Sequence, residues 1–167
     1  GINDVFDYES DIRNPRKGGV EGAILPTSMH APLLWASALT TLPFLVVMYA
    51  SGTWQSAFWL TLSMTAVVAY SAPPMRFKER PVLDSATSAA HFVTPAIVGA
   101  TIRVGELPVY FWVAVGAFFL WGMASHALGA VQDVKADREG DLSSIATAFG
   151  ARLTTRLAAG AYLVAAL

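Results

Sequence analysis

Between Glu21 and Arg76 the chain runs through positions 22–75, 54 residues, without a single Asp, Glu, Lys or Arg. Few environments tolerate that. A soluble domain carries about 25% charged residues, whereas here the share is 14%, against 54% hydrophobic. Three more uncharged intervals occur, at 85–102, 107–132 and 157–167. An α-helix crosses the hydrocarbon core with about 20 apolar residues. The longest interval therefore holds two spans, and Ser51-Gly52-Thr53 is the natural turn between them. Spans are expected near 31–50, 54–73, 85–102 and 108–131, with another beginning at about 153. The expected fold is all-α, a multi-span transmembrane helical bundle.

Threading the chain through these spans places segments 1–30, 74–84 and 132–152 on one side. Ten of the 11 Lys and Arg lie there or at its margin, Arg103 being the exception. The positive-inside rule makes this the cytoplasmic face of an integral membrane protein. Eleven of the 12 acids share it, leaving out only Glu106. A formal net charge of −1 gives no basic surface for nucleic acid. The absence of cysteine excludes a disulfide framework, a thiolate metal site and a thiol nucleophile. Gly1 is not an initiator Met, and Leu167 stops inside an apolar run too short to span. The expectation is that residues 1–167 form a single membrane domain that is incomplete at both ends.

The acids on this face are ordered. Asn3, Asp7 and Asp11 recur at four-residue spacing, and so do Asp133, Asp137 and Asp141. On a helix such residues stack on one face about 5–6 Å apart. Aligned carboxylates repel, raising one another's pKa, unless a cation sits between them. Two such faces at one membrane level point to hard cations held by oxygen, Mg²⁺ being usual where phosphates complete the shell. The plainer alternative is a solvated acidic helix end. Neither cluster has the loop pattern of an EF-hand.

Between the clusters lies Tyr70-Ser71-Ala72-Pro73-Pro74-Met75-Arg76-Phe77-Lys78-Glu79-Arg80-Pro81. Its prolines make a stiff loop that offers Arg76, Lys78 and Arg80. Cations facing a metal-carboxylate site suit an anion such as diphosphate. Arg80 reads more simply as membrane anchoring. Within the spans, His91 and His126 are costly in lipid. His126 stands seven residues before Asp133, on a similar helix face, and is a candidate for the substrate cavity. His91 and His30 read as structural. Gly99, Gly116, Gly122 and Gly129 read as close helix packing.

Together these blocks resemble the UbiA-type intramembrane prenyltransferases. That superfamily carries an N-x-x-x-D-x-x-x-D motif, a Y-S-x-P-P-x-R-x-K-type loop, and a D-x-x-x-D motif with a further Asp or Gly four residues on. Order and spacing match across nearly the whole chain. Members have about nine helices, so the resemblance implies a fragment running from the end of the second helix into the seventh. The segment from Gly1 to Gly19, and Ser125-His126-Ala127-Leu128-Gly129-Ala130, are similar to lycopene elongases of C50-carotenoid synthesis. Quinone-pathway members usually have an Arg-Pro-Leu-like stretch where Arg16-Lys17-Gly18 stands here.

The resemblance implies Mg²⁺ as cofactor, held by Asn3, Asp7, Asp11, Asp133 and Asp137. Asp141 would be a further ligand, or would hold one. Tyr70, Arg76, Lys78 and Arg13 would bind the diphosphate, with Lys78, Asp7, Asp11, Asp133 and Asp137 at the centre of catalysis. It implies a prenyl diphosphate donor and a lipophilic acceptor, lycopene or a related carotenoid, reached through membrane lipid. Two rivals stand beside this reading. One is an aromatic-acceptor prenyltransferase of quinone synthesis. The other is a cation-binding membrane transporter, which would keep its ionisable residues near the bilayer midplane rather than at one edge.

Overall fold

The computed structural model describes residues 1–12, 17–18, 23–103 and 106–167. Eight helices occur in order: α1 (Ile2–Phe6), α2 (Tyr8–Asp11), α3 (His30–Ser51), α4 (Trp54–Ser71), α5 (Leu83–Thr101), α6 (Val109–Glu139), α7 (Ile145–Phe149) and α8 (Ala151–Ala165). Short 3-10 turns precede α3 and α5, at Thr27–Met29 and Phe77–Glu79. Among the described residues the regular secondary structure is helical. Each expected span corresponds to a helix. The break at residues 51–53 is made by Gly52, which ends α3, and by Thr53, whose side chain caps α4 by accepting the Ser56 N–H at 3.1 Å.

The helices pack side by side in the order α4, α5, α6, α8, with α3 touching the bundle lightly through α4 and α1. By length and composition, two segments could cross a membrane: Thr27–Ser51 and Val109–Glu139. α3 buries no residue within the described structure, and Trp35, Leu39, Phe44 and Val47 lie exposed along it. Such a surface is costly in water and natural in lipid. α4 and α5 are more polar because they turn Ser and Thr towards each other. Thr94 Oγ1 donates to Ser63 Oγ at 2.9 Å, and Thr53 Oγ1 donates to the Thr101 carbonyl at 2.7 Å. Without a hydrophobic drive between helices in lipid, hydrogen bonds and small side chains do this joining.

Of the four glycines expected at close crossings, Gly122 alone has that role. A Cβ there would stand 3.1 Å from the Ala89 Cβ and 3.2 Å from its Cα, so Gly122 sets how closely α5 approaches α6. Gly99, Gly116 and Gly129 have no atom within 4 Å of a Cβ position. That expectation is corrected, because no neighbouring helix among the described residues reaches their Cβ positions.

α6 is the longest element and reaches furthest. Its 31 residues rise about 46 Å at 1.5 Å each, roughly 16 Å more than a hydrocarbon core of about 30 Å. Its last turns, with Asp133 and Asp137, lie at the end of the bundle where α1, the Phe77–Glu79 turn and α7 gather.

Candidate active site

A cavity of about 320 Å³ opens at that end of the bundle. Its walls include Asp7 and Asp11 from the first acidic motif, Tyr70 from the last turn of α4, Lys78 from the loop after it, and His126, Asp133 and Asp137 from α6. These residues come from stretches far apart in sequence. The fold brings them to one place.

α1 stops at Phe6, yet the ladder survives the interruption. The Asp7 N–H donates to the Asn3 carbonyl, and the Asp11 N–H to the Asp7 carbonyl, both at 2.8 Å. Those four-residue steps keep the three side chains in helical register. The Asp7 side chain is 7% exposed and is ion-paired with Lys78, itself 12% exposed. Burial pushes the Asp7 carboxyl above the ordinary carboxylate range, Lys78 pulls against that rise, and Asp11 adds to it. Asp11 has a second cation, Lys17, at 3.6 Å.

Three sequence candidates stand differently from expectation. Asn3 is absent from the cavity wall, and its Oδ1 accepts from the Ser71 hydroxyl, tying α1 to the end of α4. Arg76 is also absent from that wall. Its Nε donates to Glu79 at 2.9 Å and its Nη1 to the Phe6 carbonyl at 3.3 Å, so it fastens the loop to α1. Glu79 holds the guanidinium pKa above its usual value. Asp141 leaves the second ladder. α6 ends at Glu139, Gly140 closes it, and Asp141 takes a left-handed φ of 54° at an exposed position. Helical spacing no longer applies past that glycine. Arg13 lies outside the described residues.

The structure also adds residues that spacing did not single out. Ser144 caps α7 and donates its hydroxyl to Asp137 Oδ2 at 3.0 Å. Asp84, in the first turn of α5, is fully buried, and its Oδ2 accepts the Ile145 N–H at 2.7 Å. The same oxygen lies 3.9 Å from His126 Nε2. The only sequence signal for Asp84 is a charge at the very edge of an uncharged interval. His91 stacks edge-on against Tyr70, with ring centroids 5.4 Å apart, which agrees with a structural role.

Chemically, the wall offers carboxyl oxygens from two directions and one ammonium. Hard divalent cations take oxygen ligands. Among the described residues, no three such side chains gather tightly enough to enclose an ion by themselves. A divalent cation here would take only part of its shell from the protein, and Mg²⁺ usually takes the rest from water and substrate phosphates.

Comparison with known proteins leads the same way. The chain is 64% identical, over all of its 167 residues and 58% of the relative's length, to a lycopene elongase/hydratase of Corynebacterium glutamicum. It is 59% identical over 165 residues to the C(50) beta-cyclic carotenoids biosynthesis protein LbtBC of Dietzia, covering 99% of this chain and 38% of that one. A lycopene elongase/hydratase of Haloferax volcanii is 33% identical over 167 residues, covering all of this chain and 53% of the relative. The chain thus spans little more than half the length of the curated lycopene elongases it matches. No solved structure matches it. The family profile for these enzymes of membrane-embedded helical bundles matches residues 1–167 from end to end, and the chain belongs to the UbiA prenyltransferase family.

Proposed function

We propose that this chain supplies the catalytic part of a Mg²⁺-dependent lycopene elongase. It would move a dimethylallyl group from its diphosphate to a terminal double bond of lycopene, at the cytoplasmic edge of the membrane. The observation that carries this reading is the cavity into which both acidic motifs and Lys78 converge. Relatives named for lycopene elongation support the choice of acceptor.

In this reading Asp7, Asp11, Asp133 and Asp137 hold Mg²⁺ against the diphosphate, with Asn3 and Arg76 bracing the first motif from behind. When bound, Mg²⁺ neutralises charge on the diphosphate as it departs. Lys78 adds a positive charge from the cavity wall, already desolvated, where it acts most strongly on a developing anion. The allylic C–O bond breaks and its electron pair leaves with the diphosphate. The π electrons of the acceptor's terminal double bond form the new C–C bond. The resulting cation is discharged by loss of a proton or capture of water. Gly129 and Ala130, small residues on the cavity wall between His126 and Asp133, leave room for the allylic carbon. A water-poor site among the helices would protect that cation from early quenching.

Membranes carrying the full-length protein are expected to consume dimethylallyl diphosphate and extend lycopene only with a divalent metal present. Lycopene competes in this assay with 4-hydroxybenzoate and dihydroxynaphthoate. Prenylation of an aromatic acid while lycopene stays unmodified would overturn the acceptor. Turnover that persists after chelation would overturn the metal.

A further inference from the structure

Asp84 is the most deeply buried acid in the described structure, at 0% exposure, yet it lies outside both acidic motifs. A buried carboxyl persists only where its oxygens find partners, and those found here are informative. Oδ1 accepts the Ser85 N–H at 2.6 Å and the Ser85 hydroxyl at 3.2 Å, both local to the start of α5. Oδ2 reaches across the bundle to the Ile145 N–H at 2.7 Å and lies 3.9 Å from His126 Nε2. Ile145 is the first residue of α7, and the residue before it is the cap, Ser144. Ser144 donates to Asp137 Oδ2 at 3.0 Å while its own N–H donates to Thr147 Oγ1 at 2.8 Å. Two successive residues of one helix cap thus engage two carboxyl groups, Asp84 beneath and Asp137 at the cavity wall.

The backbone leading into Asp84 points the same way. Val82, which precedes α5, has φ 73°. For a β-branched residue this is a strained conformation, of the kind that survives when surrounding contacts over-determine it. Ile145 and Ala146 are themselves buried, so α7 is anchored by packing as well as by the Asp84 bond.

We propose that Asp84 is a positioning residue for the second acidic motif: it fixes the start of α7 so that Ser144 holds the Asp137 carboxyl towards the cavity. The inference rests on the reading of Asp137 as a metal ligand. Residues that orient metal ligands from behind are worth about 10- to 100-fold in metal affinity.

The test measures Mn²⁺ binding to the detergent-solubilised full-length protein by the EPR signal of free Mn²⁺, for Ser144→Ala, Asp84→Asn, Asp84→Ala and the Asp84→Ala/Ser144→Ala pair. Ser144→Ala and Asp84→Ala are each expected to weaken binding about tenfold. Asp84→Asn keeps an acceptor for the Ile145 N–H and is expected to lose less. The pair is expected to be no weaker than its weaker member, because both act through one cap. The Mn²⁺ concentration for half-maximal turnover is expected to shift by the same factor, with a smaller change at saturating metal. Unchanged Mn²⁺ affinity in Ser144→Ala and Asp84→Asn overturns the positioning role, and so do fully additive losses. Should Asp84→Ala not fold, those two milder variants decide the matter. Asp137→Ala is the separate control: if it binds Mn²⁺ as tightly as the wild type, the metal reading itself fails.

Discussion

Lys78→Met asks how α1 is held against the bundle and what a buried carboxyl does when its cation is removed. α1 has only five residues, far below the length at which an isolated helix persists in water, so tertiary contacts must keep it in place. These include the Lys78–Asp7 ion pair, the Ser71–Asn3 bond and the Arg76 bond to the Phe6 carbonyl, beside packing on α3 and α4. Both members of the ion pair are nearly buried, at 12% and 7% exposure. Removing one partner of such a pair costs about 3–5 kcal/mol, because the other charge stays desolvated. Asp7 has an escape, since it can take up a proton. Its pKa is already raised by burial, and losing Lys78 raises it further. A carboxyl whose folded pKa exceeds its unfolded value binds more protons when folded, so stability falls as pH rises through that folded pKa and recovers below it. The recovery is at most about 1.4 kcal/mol per pH unit. The penalty of Lys78→Met is therefore expected to be about 3–5 kcal/mol at pH 8 and smaller at pH 5.5, the direction set by the raised Asp7 pKa. Hydrogen exchange of the α1 amides, followed by mass spectrometry at both pH values, reports the local opening energy. Adding Asp7→Asn should recover much of the loss at pH 8. An equal penalty at both pH values, or a double variant as weak as the two singles summed, would refute the argument.

Two further outcomes are expected. At Gly122 an added methyl meets Ala89 at 3.1 Å, so Gly122→Leu should cost about 1–3 kcal/mol or more by overpacking. Gly116→Ala, with open space at its Cβ, should be neutral or raise stability by up to about 1 kcal/mol through helix propensity; thermal unfolding in detergent compares the two. If Asp7 ligates the metal as proposed, binding there must displace a proton more tightly held than on an exposed carboxylate. Mn²⁺ affinity should thus decline, as pH is lowered, from above the ordinary carboxylate range, and Asp7→Asn should remove that component of the pH dependence.

How much of the molecule is legible in its sequence depends on the range over which each signal acts. Uncharged intervals are local, and they located α3, α4, α5 and the start of α6 to within a few residues, whereas α6 continues from the expected end at 131 to Glu139. Four-residue spacing is local too, and it identified Asp7, Asp11, Asp133 and Asp137 as side chains that one cavity collects. The same rule overreached at Asp141, because Gly140 ends α6 and periodicity has no meaning beyond a helix. Asn3 has the correct register, but its hydroxyl partner, Ser71, is 68 positions away. Asp84 and Ser144 were invisible for a similar reason. Each finds its partner through tertiary packing, and neither belongs to a repeating pattern. Gly122 looked like Gly116 and Gly129 in sequence, and only the approach of Ala89 distinguishes them.

The length of α6 has a consequence for how two immiscible substrates meet. On the proposed orientation, Asp133 and Asp137 would stand on the part of the helix that outruns the lipid, with His126 about 10 Å from Asp133 along the same axis, towards the hydrocarbon. In the proposed reaction the diphosphate can stay at the water boundary throughout, and the carotenoid end need never leave the hydrocarbon. One continuous helix would then fix the depth at which a water-borne donor and an oil-borne acceptor come within bonding distance.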